Sequence, residues 1–236
     1  MLMTGAKSSE ASAALPALRV ARVARRIRVD GDLVKAPWRA LGASALVPSH
    51  GGAADGGFQP TALRLAHDGE RLYVAFACAD RDVWGTHTGR NAPIYEEEVV
   101  EAFLAPDGDP RRYFELESSP HGAWFEARIE SPDGRRATMR VDRDWTCDGW
   151  ERAVRVHGAP PAERRACEGR HAGWDVEWAI PFASLGVGAP TPGAKWRANF
   201  YRIDQADGGQ YSAWSPTLAE PPDFHVPHRF GVLTFE

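Results

Sequence analysis

Two groups of residues in this chain are equipped for chemistry. The first is an aromatic loop near the C-terminus, Pro221-Pro222-Asp223-Phe224-His225-Val226-Pro227, preceded by Tyr211-Ser212-Ala213-Trp214-Ser215-Pro216. Proline fixes its own φ and restricts the residue before it, so Pro221, Pro222 and Pro227 stiffen the backbone around Phe224 and His225. A stiff loop presents an aromatic ring to a ligand at low entropic cost. Such rings suit ligands with apolar faces and polar edges, sugars foremost. The second group is acidic: Asp80 and Asp82, then Glu96-Glu97-Glu98, then Glu101 and Glu117. Hard carboxylate oxygens suit calcium, which makes Asp80 and Asp82 with the Glu run candidates for a cation site, although no EF-hand spacing is present.

Sugar hydroxyls are read by side chains that bond two neighbours at once. Glu101, Glu117, Asn199 and Arg202 are the candidates, with His225 beside Phe224. Each also has a plainer reading. Glu101 lies in the alternating run 99–103, where an outward, solvated carboxylate is the default. Arg202 pairs equally well with a strand neighbour such as Glu117. Asn199 can tie up a backbone group. His225 can be a hydrogen-bonded structural histidine, and Phe224 can plug its loop onto the core.

These residues need elements to hold them, and strands dominate the chain. Leu63 and Leu65 alternate before Asp68-Gly69, a hairpin signal, and Leu72, Val74, Phe76 and Cys78 alternate after it. Further strands are expected over 26–29, 99–104, 113–117, 123–129, 137–141, 150–156, 173–180, 195–203, 211–214 and 230–235. Turn signals stand between them, with one helical turn at 181–185. Many short strands with almost no helix point to an all-β chain, a single antiparallel β-sandwich of jelly-roll type. Residues 1–25 read as a disordered tail and 26–236 as one domain.

Composition excludes several classes. The 236 residues suffice for one large β domain with a real core. The net charge of −4 offers no electrostatic case for nucleic acid, and no window reaches the apolar length of a membrane span. Ala11 to Leu18 is short, broken by Pro16 and followed by Arg19 and Arg22, a poor signal peptide. Localisation is therefore secreted or cell-surface if a signal has been removed, otherwise cytoplasmic. Cys78 reads as a buried thiol, while Cys147 and Cys167 leave a disulfide open. No G-x-S-x-G, phosphate loop or dinucleotide fingerprint occurs. Oligomeric state leaves no trace.

Four segments in order resemble carbohydrate-binding modules of family 9 and their family 9-like relatives. They are Val29-Asp30-Gly31-Asp32-Leu33 with Trp38, Leu63 to Phe76, Tyr95-Glu96-Glu97-Glu98-Val99-Val100-Glu101-Ala102-Phe103, and the C-terminal Trp-Ser-Pro with Phe-His-Val-Pro-His-Arg-Phe-Gly. The resemblance implies a β-sandwich that binds a mono- or oligosaccharide without catalysis, of the kind found beside glycoside hydrolases, with no required cofactor and calcium as an optional structural ion. It places Tyr95 and Phe224 as two clamping rings and Glu101 as a hydroxyl acceptor. Characterised members carry Trp at both clamps, so stacking should be weaker here, and an assisting Arg falls near Glu115. Two alternatives stand beside this reading. One is a b-type haem domain on a similar sandwich, for which Met139 is the only Met beyond the N-terminal tail. The other is a glycoside hydrolase using Glu101 and Glu117 as paired carboxylates about 5–10 Å apart.

Overall fold

The computed structural model describes residues 14–157, 173–205 and 208–236. In chain order the elements are β1 (Ala17–Arg22), α1 (Ala36–Arg39), β2 (Ser44–Ala45), β3 (Val47–Pro48), β4 (Thr61–His67) and β5 (Arg71–Cys78). Then come β6 (Val99–Ala105), β7 (Arg112–Ser118), β8 (Trp124–Glu130), β9 (Arg140–Asp142) and β10 (Glu151–His157). β11 (Gly173–Pro181), β12 (Lys195–Asp204), β13 (Gln210–Ala213) and β14 (Gly231–Phe235) complete the set. The β4–β5 hairpin closes where the sequence suggested, because the Asp68 carboxylate accepts the Glu70 and Arg71 amides, both at 2.8 Å, and Gly69 takes φ 97°.

The strands form two layers. One runs β10-β11-β5-β4, with β2 on β4; the other runs β14-β12-β6-β7-β8-β9, with β13 on β12 and β3 on β13. β1 joins them. Residues 17–20 pair in parallel with 232–235, and residues 21–22 pair in parallel with 66–67. The architecture is the expected β-sandwich, but its strand mix is not purely antiparallel. β1 also lies inside the stretch expected to be a disordered tail. Val20 is fully buried there, and Arg19 and Arg22 are exposed. Residues 26–29 form no strand, although Ile27 is buried. The expected 137–141 strand is a 3-10 turn followed by the shorter β9.

Between the layers lies the main core, in which Leu63, Leu65, Val74, Phe76 and Trp178 of one layer meet Val100, Ala102, Leu104, Leu116 and Phe200 of the other. Each such side chain contributes about 1.5–3 kcal/mol on burial. The alternation of β6 therefore sends Val99, Glu101 and Phe103 to the opposite face. There they do not meet water. Tyr113, Phe125, Tyr201, Phe224 and Phe230 form a second apolar cluster with Val99 and Phe103, roofed by the loop before β14. That loop is fixed by Asn199, whose side chain donates to the Ser215 carbonyl at 2.8 Å and accepts the Ser215 amide at 2.9 Å.

Cys78 and Cys147 are buried, and burial pushes both thiols up to about 12. Cys167 lies outside the described residues, and with it the Cys147–Cys167 pairing.

Candidate functional site

Register builds the site. Across β12, β6, β7 and β8, Tyr201 stands opposite Glu101, Glu101 opposite Glu117, and Glu117 opposite Phe125. The adjacent row is Asn199, Phe103, Glu115 and Ala127. Residues two apart share a face, so both rows lie on the side away from the main core.

A cavity of about 260 Å³ opens over these rows. Four rings line it: Tyr95, Phe125, Tyr211 and Phe224. Tyr95 follows from a short 3-10 turn, Ile94–Glu96, whose Ile94 is buried in the second cluster. The Tyr95 ring stands edge-on to Phe125 at 5.6 Å and 89° and is half-buried. Phe224 is only 7% exposed, because one of its faces is stacked on Tyr201. Its reach into the cavity is a margin of the ring.

The polar lining comprises Glu101, Glu115, Asp223, Arg136, Arg143 and His225. Glu101 is 2% exposed and Glu117, behind it, is fully buried. One oxygen each of Glu101, Glu115 and Glu117 lies within 4.8 Å of the other two. No donor from outside the trio reaches Glu101 Oε1 or either oxygen of Glu117, and a side-chain hydrogen bond links Glu117 to Glu115. Burial first, then the neighbouring carboxylates, pushes the Glu101 and Glu117 carboxyls well above the usual range. His225 is placed by Tyr113, whose hydroxyl lies 2.7 Å from Nδ1, and by Phe103, 5.0 Å away ring to ring. Burial lowers its pKa.

The structure thus brings Tyr95, Glu101, Phe224 and His225 to one cavity. Glu117 sits beneath it. Asn199 shares the face, but both ends of its amide hold backbone. Arg202 lies on the other face, one residue out of phase with Glu101. There its guanidinium donates to Asp80 and Asp204, both at 2.8 Å, and it does not pair with Glu117.

The acidic run separates likewise. Glu96 and Asp82 are exposed, while Glu97 accepts the Thr86 amide at 2.7 Å. Glu98 joins Asp80 and Asp204 around Arg202. Asp80 and Asp82 do not converge: Asp80 faces the Arg202 guanidinium, and Asp82 is exposed and stands outside the cluster of Asp80, Glu98 and Asp204.

Glu115, Phe125, Arg136, Arg143 and Asp223 went unread in the sequence as site residues. Glu115 carried a signal, since it has the parity of Glu117 on the same strand. Arg136 and Arg143 carried none, because the turn before β9 brings Arg136 to the cavity and the segment after β9 brings Arg143. Arg136 pairs with Asp223 at 2.9 Å. Arg143 lies over the Phe125 ring at 5.4 Å and 3.5 Å from the Tyr95 hydroxyl.

Known proteins share this architecture. A protein of Bacteroides uniformis ATCC 8492 proposed to bind carbohydrate superposes with a TM-score of 0.75 at 23% identity, over 94% of this chain and 100% of its own. A carbohydrate-binding module of family 9 from Caldicellulosiruptor kristjanssonii in complex with cellotriose gives 0.62 at 14% identity, over 94% of each chain. A family 9 module from the same organism in complex with glucose gives 0.60 at 15%, over 94% of this chain and 96% of that one. No curated protein matches the chain. The sequence profile of carbohydrate-binding family 9 matches residues 54–235, most of the chain including β4 to β14, and the chain belongs to that family.

Proposed function

We propose that the protein binds the end of a saccharide, without catalysis, in the cavity over β6 and β7. The observation that carries this reading is the convergence of Tyr95 and Phe224, far apart in sequence, on one cavity that also exposes Glu101. Tyr95 is the open stacking face and Phe224 the opposing edge. A sugar face laid on Tyr95 is worth roughly 0.5–1.5 kcal/mol beyond its area burial. Glu101, Glu115 and Asp223 accept hydroxyl protons, and Arg136 and Arg143 supply the planar donors that β7 lacks where it carries Glu115. At about 260 Å³ the cavity is below the roughly 300 Å³ at which ligand pockets commonly begin, which favours one or two sugar rings over a long chain. The sugars named for the family 9 neighbours, glucose and cellotriose, are the first ligands to try.

Position argues against hydrolysis. Glu101 and Glu117 are cross-strand neighbours on one sheet face, with Glu117 buried beneath the cavity, so they would meet a ligand from the same side, whereas glycosidase acids flank the scissile bond. Haem is disfavoured as well. Met139 Sδ and His225 Nδ1 lie 3.7 and 2.7 Å from the same Tyr113 hydroxyl, which engages both of them. Among the described residues no helix is long and apolar enough to cross a membrane.

Calorimetric titration with glucose, cellotriose and a panel of soluble oligosaccharides tests the proposal. Saturable binding to at least one, weakened by Tyr95→Ala, is expected. A folded chain that binds none of them overturns it.

A further inference from the structure

The three carboxylates under the cavity pose a problem that the saccharide reading leaves unsolved. Glu101 and Glu117 are direct cross-strand partners, and like charges so placed repel. Glu115 joins them from the next row. Glu101 and Glu117 are 2% and 0% exposed, and Glu115 is 5% exposed. A buried carboxylate is normally met by donors, yet Glu101 Oε1 has none, and Glu117 meets only the neighbouring Glu115 carboxyl. The positive groups nearby are spent elsewhere or stand off. Arg136 is ion-paired to Asp223, Arg143 lies over Phe125, and His225 Nε2 approaches no nearer than 3.8 Å to Glu115. The contrast with the other buried acidic trio is direct. Asp80 and Asp204 share the Arg202 guanidinium; Glu101, Glu115 and Glu117 share nothing of the kind.

We infer that Glu101, Glu115 and Glu117 form a divalent-cation site of calcium type, on which saccharide binding in the cavity above depends. One oxygen of each residue lies within 4.8 Å of the others, a spread that a single ion with Ca–O distances of about 2.3–2.6 Å spans. Calcium takes roughly six to eight oxygens. Three carboxylates, through one oxygen each, provide three of these. Because Glu101 and Glu115 also line the cavity, the remaining positions open toward it, where water or two neighbouring hydroxyls of a sugar complete the shell. The bound ion offsets two of the three negative charges on that floor and presents its open coordination positions to the cavity. This rests on the saccharide reading only for its second half; the cation site stands or falls without it.

The test separates the two. Calcium chloride alone is titrated into chelator-stripped protein by calorimetry, and thermal melts are recorded with and without the ion. One ion per chain with a Kd below about 1 mM is expected, with a raised melting temperature. Glu117→Gln, at a residue that does not line the saccharide cavity, relieves repulsion and should fold, and it should weaken calcium at least about tenfold, since it removes one of three anionic ligands. Glu98→Gln, in the other trio, should leave calcium binding unchanged. Absence of binding to the wild-type chain, or equal binding by Glu117→Gln, overturns the site. Glucose and cellotriose are then titrated in calcium and in chelator, with at least tenfold tighter binding expected in calcium. Equal sugar affinity in both overturns the dependence while the saccharide reading survives. Calcium binding with no sugar binding in either leaves the ion site and removes the saccharide.

Discussion

The ring of Phe224 lies flat on that of Tyr201, with centroids 4.2 Å apart and planes 11° from parallel, and the Tyr201 hydroxyl donates to the Phe224 carbonyl at 2.9 Å. The stack pins the Pro-rich loop to β12 and so sets one wall of the cavity. It also makes the two candidate clamps unequal. Phe224 is a structural ring with little surface to spare, whereas Tyr95 meets Phe125 at right angles and is only half-buried.

Substitution should therefore split the pair. Tyr95→Ala is expected to weaken saccharide binding by about fivefold or more, the loss of roughly 1 kcal/mol of stacking, with little change in melting temperature. Phe224→Ala is expected to weaken binding and also to cost the fold about 3–5 kcal/mol, the usual range for a buried Phe. Calorimetry and thermal melts on both variants read this out. Undiminished affinity in Tyr95→Ala would remove stacking from the account.

Arg143 reaches the cavity from the segment after β9 and steadies Tyr95. Removing its guanidinium should raise the sugar Kd several-fold without lowering stability by more than about 1 kcal/mol, because the interactions it makes are exposed. Arg143→Lys keeps the charge but not the planar fork, so it should recover only part of the affinity. Full recovery would show that charge alone matters.

Arg202 serves stability and not the ligand. Arg202→Met leaves Asp80, Glu98 and Asp204 buried without their cation. Breaking a buried pair this way costs about 3–5 kcal/mol. Saccharide affinity of the folded fraction should be unchanged, since Arg202 faces away from Glu101. A variant as stable as the wild type, or one that folds but loses sugar, would contradict the assignment.

Glu98 should make stability fall with rising pH. Burial, and then the charges of Asp80 and Asp204, raise its carboxyl from 4.5 to about 10. Between those values the folded chain keeps a proton that the unfolded chain has released, so the folded state loses ground as pH rises, by up to about 1.4 kcal/mol per unit. Glu98→Gln removes this term. Its melting temperature should exceed that of the wild type at pH 8 and approach it at pH 5. An equal difference at both pH values would exonerate Glu98.

Strand content and the Asp68-Gly69 hairpin were legible in the residues themselves, because alternation and turn chemistry are local; the pairing of the aromatic loop with the acidic strand came only with the family resemblance. The period of two also told which residues of one strand share a face: Val99, Glu101 and Phe103 against Val100, Ala102 and Leu104. It could not tell which face a neighbouring strand would add to, and that is where Arg202 was misplaced. Tyr201, not Arg202, stands opposite Glu101, a choice of register made by contacts remote in sequence. Nor could local pattern show that the outward face of β6 is roofed, burying carboxylates that an open sheet would have left in water. Arg136 and Arg143 arrive by the path of the chain around β9, and Leu18 and Val20 acquire a role only once β14 and β4 lie on either side of β1. Local preference decided what each segment is; the cost of burying charge, and the means of meeting it, were decided only when the layers closed.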